Sequence, residues 1–166
     1  MNGKRPPIIG VMGGARVAPE VEALAGDLGR AVALEGWVVL SGGRDTGVMA
    51  AVSAGAAQAG GLVVGVLPDG DLSRAAAHLT IPIRTGLGDG RNIINILSSD
   101  VVVALPGGAG TLSEIALAVK NHKPLYLLGW TAPPVRLNDD ESICSFNQVS
   151  ELLAEIKNCL GESGVL

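Results

Sequence analysis

Val101-Val102-Val103-Ala104-Leu105 runs directly into Pro106-Gly107-Gly108-Ala109-Gly110-Thr111. The first five residues are uninterruptedly apolar and mostly β-branched. That is the pattern of a central parallel strand buried on both faces, since polar residues alternate into a strand only where one face meets water. The next six break the strand and lead into a helical segment reaching about Asn121. Strand, glycine joint and helix in this order make half of a βαβ unit.

The same order recurs outward from this stretch. Ile8–Met12 reads as a strand, followed by a helix over Pro19–Leu34 with Pro19 in its first turn and Val21, Leu24, Leu28 and Val32 along one face. Trp37–Leu40 is a second strand. The helix after it, from about Thr46 to Ala59, has almost nothing polar except Ser53 and Gln58, so it must be covered on both sides. Leu62–Leu67 is a third strand, Pro68–Ser73 a loop, and Leu79–Ile83 a short strand weakened by Pro82. Gly86-Leu87-Gly88-Asp89-Gly90 opens onto a helix carrying Ile93, Ile94, Ile96 and Leu97. Pro124–Leu128 is a strand, Thr131–Glu141 a polar loop, and Phe146 to about Leu160 an amphipathic helix with Ser145 and Gln148 at capping-box spacing. These elements predict one domain over residues 1–166: a doubly wound, mostly parallel α/β sheet with helices on both faces. Ligands of such sheets sit beyond the carboxyl ends of the strands, where strand order reverses.

Composition narrows the function. At 166 residues, 48% hydrophobic, the chain can bury its own core, but only 17% of it is charged against about 25% in average domains. A homo-oligomer that covers part of its own surface is the expectation. A net charge of −4 removes the broad attraction that nucleic acid requires, and Trp37, Tyr126, Trp130 and Phe146 are too few to stack several bases. Cys144 and Cys159 have no metal-ligand spacing, and His78 and His122 lie far from them, so no metal cluster is expected. So sparse a use of cysteine fits a reducing cytoplasm, though one disulfide between the two stays open. Pro6, Pro7, Gly10, Gly13 and Gly14 interrupt the N-terminal apolar stretch, which reads as a strand and not a secretion signal. No apolar run reaches the roughly 18 residues of a membrane span.

Chemistry gathers at the strand-to-helix joints. Gly13-Gly14-Ala15-Arg16, Ser41-Gly42-Gly43-Arg44, Gly90-Arg91-Asn92 and Pro106 to Thr111 should all meet at one sheet edge. Glycines let backbone N–H groups point at a ligand, and helix N-termini add partial positive charge, so this edge is an anion site. Arg16, Arg44 and Arg91 each stand near a helix start, where the macrodipole disfavours a cation. Something anionic should compensate them. The alternative is that Asp45 and Asp89 do so as caps or weak surface pairs. For Arg91 as a ligand contact, Arg91→Ala should weaken binding much more than folding.

Glu114 has two readings. If the helix begins at Thr111, Thr111-Leu112-Ser113-Glu114 is a capping box; if it begins near Gly108, the carboxylate lies a turn deeper and faces the site. No joint completes the GxGxxG turn of dinucleotide sites or the Lys-Ser/Thr ending of a Walker loop. Asp139-Asp140-Glu141 lacks the alternating spacing of a calcium loop and reads as a solvated turn.

Pro106-Gly107-Gly108-Ala109-Gly110-Thr111-Leu112-Ser113-Glu114 resembles the PGGxGTxxE motif of the lysine-decarboxylase-like family. Its best-known members are phosphoribohydrolases of cytokinin nucleoside monophosphates. The resemblance makes Arg91 and Glu114 the catalytic pair, with Gly107 to Thr111 holding phosphate. Decarboxylation is not implied, because Lys4, Lys120, Lys123 and Lys157 stand at a terminus or late in helices, unsuited to pyridoxal phosphate. Two hydrolase segments are altered: GGGxxGLMG appears as Gly42-Gly43-Arg44-Asp45-Thr46-Gly47-Val48-Met49-Ala50, and Met-His-x-Arg-Lys as Gly88-Asp89-Gly90-Arg91-Asn92.

Over nearly the whole chain the sequence is more similar to molybdenum cofactor carrier proteins. The likeness runs through Ile8-Ile9-Gly10-Val11-Met12-Gly13, Ser41-Gly42-Gly43-Arg44 with Gly47-Val48-Met49, Gly65-Val66-Leu67-Pro68, and Ile81-Pro82-Ile83 with Thr85-Gly86-Leu87-Gly88. It implies a single-domain Rossmann-like fold and a homo-oligomer, typically a tetramer. It also implies binding of the pterin-dithiolene molybdenum cofactor before transfer to an enzyme such as nitrate reductase. Such a ligand, with a terminal phosphate and an oxyanionic metal end, needs N–H nests and arginines and no nucleophile. Arg44 then becomes an anion contact and the apolar helix from Thr46 to Ala59 a subunit contact. Three functions stay open: cofactor carrier, nucleoside 5′-monophosphate phosphoribohydrolase, and nucleotide sensor.

Overall fold

The computed structural model describes residues 5–130 and 143–165; Lys4, Thr131–Glu141 and with it Asp139-Asp140-Glu141 lie outside the described residues. Seven strands form one sheet: β1 (Ile8–Met12), β2 (Val38–Ser41), β3 (Val63–Leu67), β4 (Ile81–Arg84), β5 (Val101–Ala104), β6 (Leu125–Leu128) and β7 (Cys144–Phe146). The helices are α1 (Pro19–Leu34), α2 (Gly47–Gln58), α3 (Asn92–Ser98), α4 (Ala109–Lys120) and α5 (Val149–Glu162), with a 3-10 turn over Gly88–Arg91 before α3.

Strand order is β4-β3-β2-β1-β5-β6-β7, and every pair of named strands is parallel. The chain builds outward from β1 to β4, then returns through α3 to lay β5 on the other side of β1. The order therefore reverses between β1 and β5, and the crevice beyond their carboxyl ends is where this fold receives ligands. All four residues of β5 are fully buried, in keeping with its uninterrupted apolar sequence. Val101 and Val103 pack on the α1, α2 and α5 face beside Leu28, Val52 and Ile156. Val102 packs on the α3 and α4 face with Ile96 and Ala118.

The polar-poor α2 owes its composition to close packing. A side chain at Gly55 would overlap the Gly26 carbonyl, and one at Gly29 would overlap the Val52 carbonyl, so α1 and α2 meet backbone to backbone. Much of α2 is thus covered within the chain, and Ala50, Ala54 and Ala57 stay half-buried.

Two expectations are corrected. The segment at Phe146 begins as a strand: Tyr126 pairs with Cys144, Leu127 with Ser145 and Leu128 with Phe146. Ser145, fixed in that ladder, cannot fold back on a helix. α5 starts only at Val149, capped by Gln148 without a side-chain hydrogen bond, so the Ser145/Gln148 capping box does not form. Three residues are too few to show strand periodicity, which is why the pattern hid β7. The weak strand before Thr85 also starts two residues later than its apolar run, at Ile81. Cys144 and Cys159 are free thiols. No helix among the described residues is long and apolar enough to cross a membrane.

Candidate anion site at the strand crossover

The ends of β1 and β5 touch through glycine. Gly14 N–H donates to the Pro106 carbonyl at 3.1 Å, and Val48 N–H donates to the Gly14 carbonyl at 3.1 Å. A Cβ on Gly107 would overlap Thr111 Oγ1 and lie 2.7 Å from Gly14 N, while one on Gly14 would lie 3.0 Å from Gly107 Cα. Gly47, at φ +51°, brings the start of α2 against the same carbonyl of Gly14. The backbone approach required here admits no side chain.

Gly108 and Gly110 differ. A Cβ on either meets no atom within 4 Å, so packing does not demand glycine there. Both line a cavity of about 250 Å³. Gly108 caps α4 and has no side chain with which to satisfy the first turn. The first bond back to the cap runs from Leu112 N–H to the Gly108 carbonyl at 3.0 Å. Among the described residues the N–H groups of Ala109, Gly110 and Thr111 have no acceptor. These donors, with the partial positive charge of the helix N-terminus, stand beside an open space.

Because α4 starts at Ala109, Glu114 lies a turn inside it and lines the cavity; the capping-box reading does not apply. Its Oε1 accepts from Arg91 Nη1 at 3.2 Å and from Asn95 Nδ2 at 3.1 Å. Arg91 Nη1 also donates to Asn92 Oδ1 at 2.9 Å. Arg91 and Glu114 are only 8% and 6% exposed. Burial pushes the Glu114 carboxyl above its ordinary value, against the pull of Arg91 and Asn95. Burial likewise lowers the Arg91 guanidinium, against the pull of Glu114 and helped by repulsion from Arg44. Both charges are therefore incompletely compensated, and Arg91 Nε is buried without a partner among the described residues.

The three arginines do not converge. Arg91 lines the cavity and takes Glu114, not Asp89, as its ion-pair partner. Arg44 is gripped from its own side by Asp69, not Asp45, through Nε to Oδ2 at 3.0 Å and Nη2 to Oδ1 at 2.9 Å. That guanidinium holds the Asp69 carboxyl below its ordinary value. Arg16 is exposed, has no partner among the described residues, and does not line the cavity. Of the other expected residues, Gly13, Gly14, Gly42, Met49, Asn92, Gly108, Gly110 and Thr111 line it. Pro106, Gly107 and Ala109 shape the turn without lining it. Ser41 accepts from Gly43 N–H at 3.2 Å behind the joint, and fully buried Val48 backs Gly13.

Sequence reasoning missed Val11, Met12 and Asp89 in the lining, where Ala15 of the first joint also stands, and Asn95 behind it. Asn95 stands four residues after Arg91, a helical spacing that places both on one face, and this was the available signal.

Solved structures match closely. The molybdenum cofactor binding protein of the phototrophic bacterium Rippkaea orientalis superposes with a TM-score of 0.86 at 42% identity, covering 95% of this chain and 99% of that one. The molybdenum cofactor carrier protein of Chlamydomonas reinhardtii gives 0.85 at 41% identity with the same coverage. A cytokinin riboside 5′-monophosphate phosphoribohydrolase of Mycobacterium marinum is 34% identical over 106 residues, 58% of this chain; the chain spans about half (53%) of that relative. The resemblances to carriers and to phosphoribohydrolases drawn from the residues both hold. The SLOG cluster4 family model matches residues 6–156, and the chain belongs to that family.

Proposed function

We propose that the protein binds and carries the molybdenum cofactor. The observation that carries this reading is likeness along nearly the full length of both chains to two proteins that bind or carry that cofactor, at 41–42% identity. The site supports it. The free N–H groups of Ala109, Gly110 and Thr111 and the open space at Gly108 and Gly110 suit a phosphate, and Arg91 lines the same cavity. Ligand pockets commonly exceed about 300 Å³. A cavity of about 250 Å³ therefore takes the phosphate end, and the rest of the cofactor lies over the rim. In this reading Arg16, exposed next to the cavity-lining Ala15, meets that outer part, and Arg44 does so only by leaving Asp69.

In this reading the protein works in the cytoplasm as a homo-oligomer, a tetramer by its resemblance, and hands the cofactor to an enzyme such as nitrate reductase. Self-association is favoured by β4. All four of its residues are exposed, and Ile81 and Ile83 are 49% and 43% exposed on the face they share with their partners Val64 and Val66. An apolar strand face open to water is the kind of surface that a partner covers.

One observation favours the second reading, a nucleoside 5′-monophosphate phosphoribohydrolase: Arg91 and Glu114 of the hydrolase-like motif are paired at 3.2 Å beside the cavity. There Arg91 would orient the phosphoribosyl group and Glu114 would steady positive charge as the glycosidic bond breaks. The purified protein should retain cofactor able to restore a cofactor-free nitrate reductase, release no base from AMP, and scatter light as more than one chain. Base and ribose 5-phosphate formed from AMP, and lost in Glu114→Ala, would overturn the carrier reading. A single-chain mass would overturn the oligomer.

A further inference from the structure

Asn95 is fully buried in α3, outside every glycine joint, and only half of its amide is satisfied. Nδ2 donates to Glu114 Oε1 at 3.1 Å and lies 3.8 Å from Met12 Sδ. Oδ1 is buried with no partner among the described residues. The amide cannot be turned round to relieve this, because an oxygen would then face the carboxylate. A buried acceptor left unmet weakens folding, so stability does not account for an asparagine here. Its one strong contact is with the buried carboxylate of the cavity.

Arg91 Nη1 and Asn95 Nδ2 both hold the same oxygen of Glu114. Oε2 is left with no partner among the described residues, on a side chain that lines the cavity. Glu114 stands four residues beyond Gly110, about one helical turn or about 5–6 Å along α4. An acceptor therefore lies one turn below the free N–H groups.

We propose that Asn95 is a positioning residue that fixes Glu114 so that Oε2 accepts a hydrogen bond from the bound ligand. The ligand class this selects carries an N–H or O–H donor about one helical turn from its phosphate. The ligand part of the proposal rests on the carrier reading; the positioning of Glu114 does not. Three groups act on the carboxylate besides burial, which raises it: Arg91 and Asn95 stabilise its charge and Asp89 opposes it, while Arg44 acts only through its repulsion of Arg91.

The test uses Asn95→Leu and, so that the result does not hang on the folding of one variant, Asn95→Ala. In ligand-free protein with ¹³C-labelled glutamate, both variants are expected to titrate Glu114 at higher pH than the wild type, because a donor to its charged form is gone. Inorganic phosphate should bind them within about twofold of the wild type. Molybdenum cofactor released from a molybdoenzyme should bind about tenfold more weakly, the loss expected for one hydrogen bond to a charged group. An unmoved Glu114 titration, or equal loss of phosphate and cofactor, would overturn the proposal. If the wild type binds phosphate but not cofactor, the carrier reading fails, and the Glu114 titration still decides the positioning role.

Discussion

Arg91→Ala will lower stability by about 3–5 kcal/mol near neutral pH, the loss typical of removing one partner from a buried ion pair. Glu114 is already pushed above its ordinary range by burial, with Arg91 as its main counterweight. Without the guanidinium, Asn95 alone donates to it and the carboxyl rises further. A carboxyl whose folded value lies above its unfolded value stays protonated longer in the folded state, so the folded state binds more protons in that window. The deficit relative to the wild type will therefore be smallest where Glu114 is protonated in both folded proteins, grow as pH passes the wild type's already raised folded value, and level off above the variant's higher one. Thermal unfolding at pH 4 and pH 8 checks this; an equal deficit at both would mean that Glu114 is not the group left uncompensated. Arg91→Met with Glu114→Leu and Asn95→Leu should recover most of the loss, since apolar groups of similar volume can replace a buried ion pair at little cost and no buried amide is then left facing the missing carboxylate. The sequence alone led to the expectation that Arg91→Ala would harm binding much more than folding. The buried ion pair with Glu114 adds a large folding cost to whatever binding is lost.

Gly110→Asp will do the reverse. A side chain at Gly110 meets no protein atom within 4 Å, and an acidic residue in the first turn of α4 complements the helix dipole by about 0.3–1 kcal/mol. The melting temperature should hold or rise. The new carboxylate, however, stands where the ligand's phosphate would bind. Two like charges about 4 Å apart repel by about 4 kcal/mol at an effective dielectric of about 20, so phosphate and cofactor affinity should fall at least about a hundredfold. Calorimetric titration beside a thermal melt separates the two effects. Unchanged affinity would place the anion elsewhere; a collapse in melting temperature would mean that the open space is occupied by the fold.

The inner strands were legible because they are buried on both faces and so appear as unbroken apolar runs: Val101 to Ala104 could hardly be read otherwise. The glycine joints were legible for a related reason. Gly14 and Gly107 approach backbone to backbone, and only glycine permits that. What the sequence hid depends on neighbours distant in the chain. The sequence offers no sign that Asp69, twenty-five residues on, outbids Asp45 for Arg44. Glu114 pairs with Arg91 because β1 lies between β2 and β5 and α3 packs beside α4, a tertiary arrangement. β7 was hidden by its length, and its three residues hold their place by pairing with β6. The start of α4 was ambiguous between Thr111 and Gly108 because both caps obey the same local rules. The bond from Leu112 N–H to the Gly108 carbonyl marks Gly108 as the cap.

At the centre stands one claim: the unpaired backbone N–H groups at the start of α4, beside the β1 turn, grip the anionic end of the ligand. The most direct measurement is an amide ¹⁵N–¹H titration of the ligand-free protein with inorganic phosphate. Saturable shifts concentrated at Ala109, Gly110 and Thr111, with smaller ones in Gly13 to Ala15, are the predicted result. Shifts centred on Arg16 or Arg44 while the α4 amides stay still would contradict the claim.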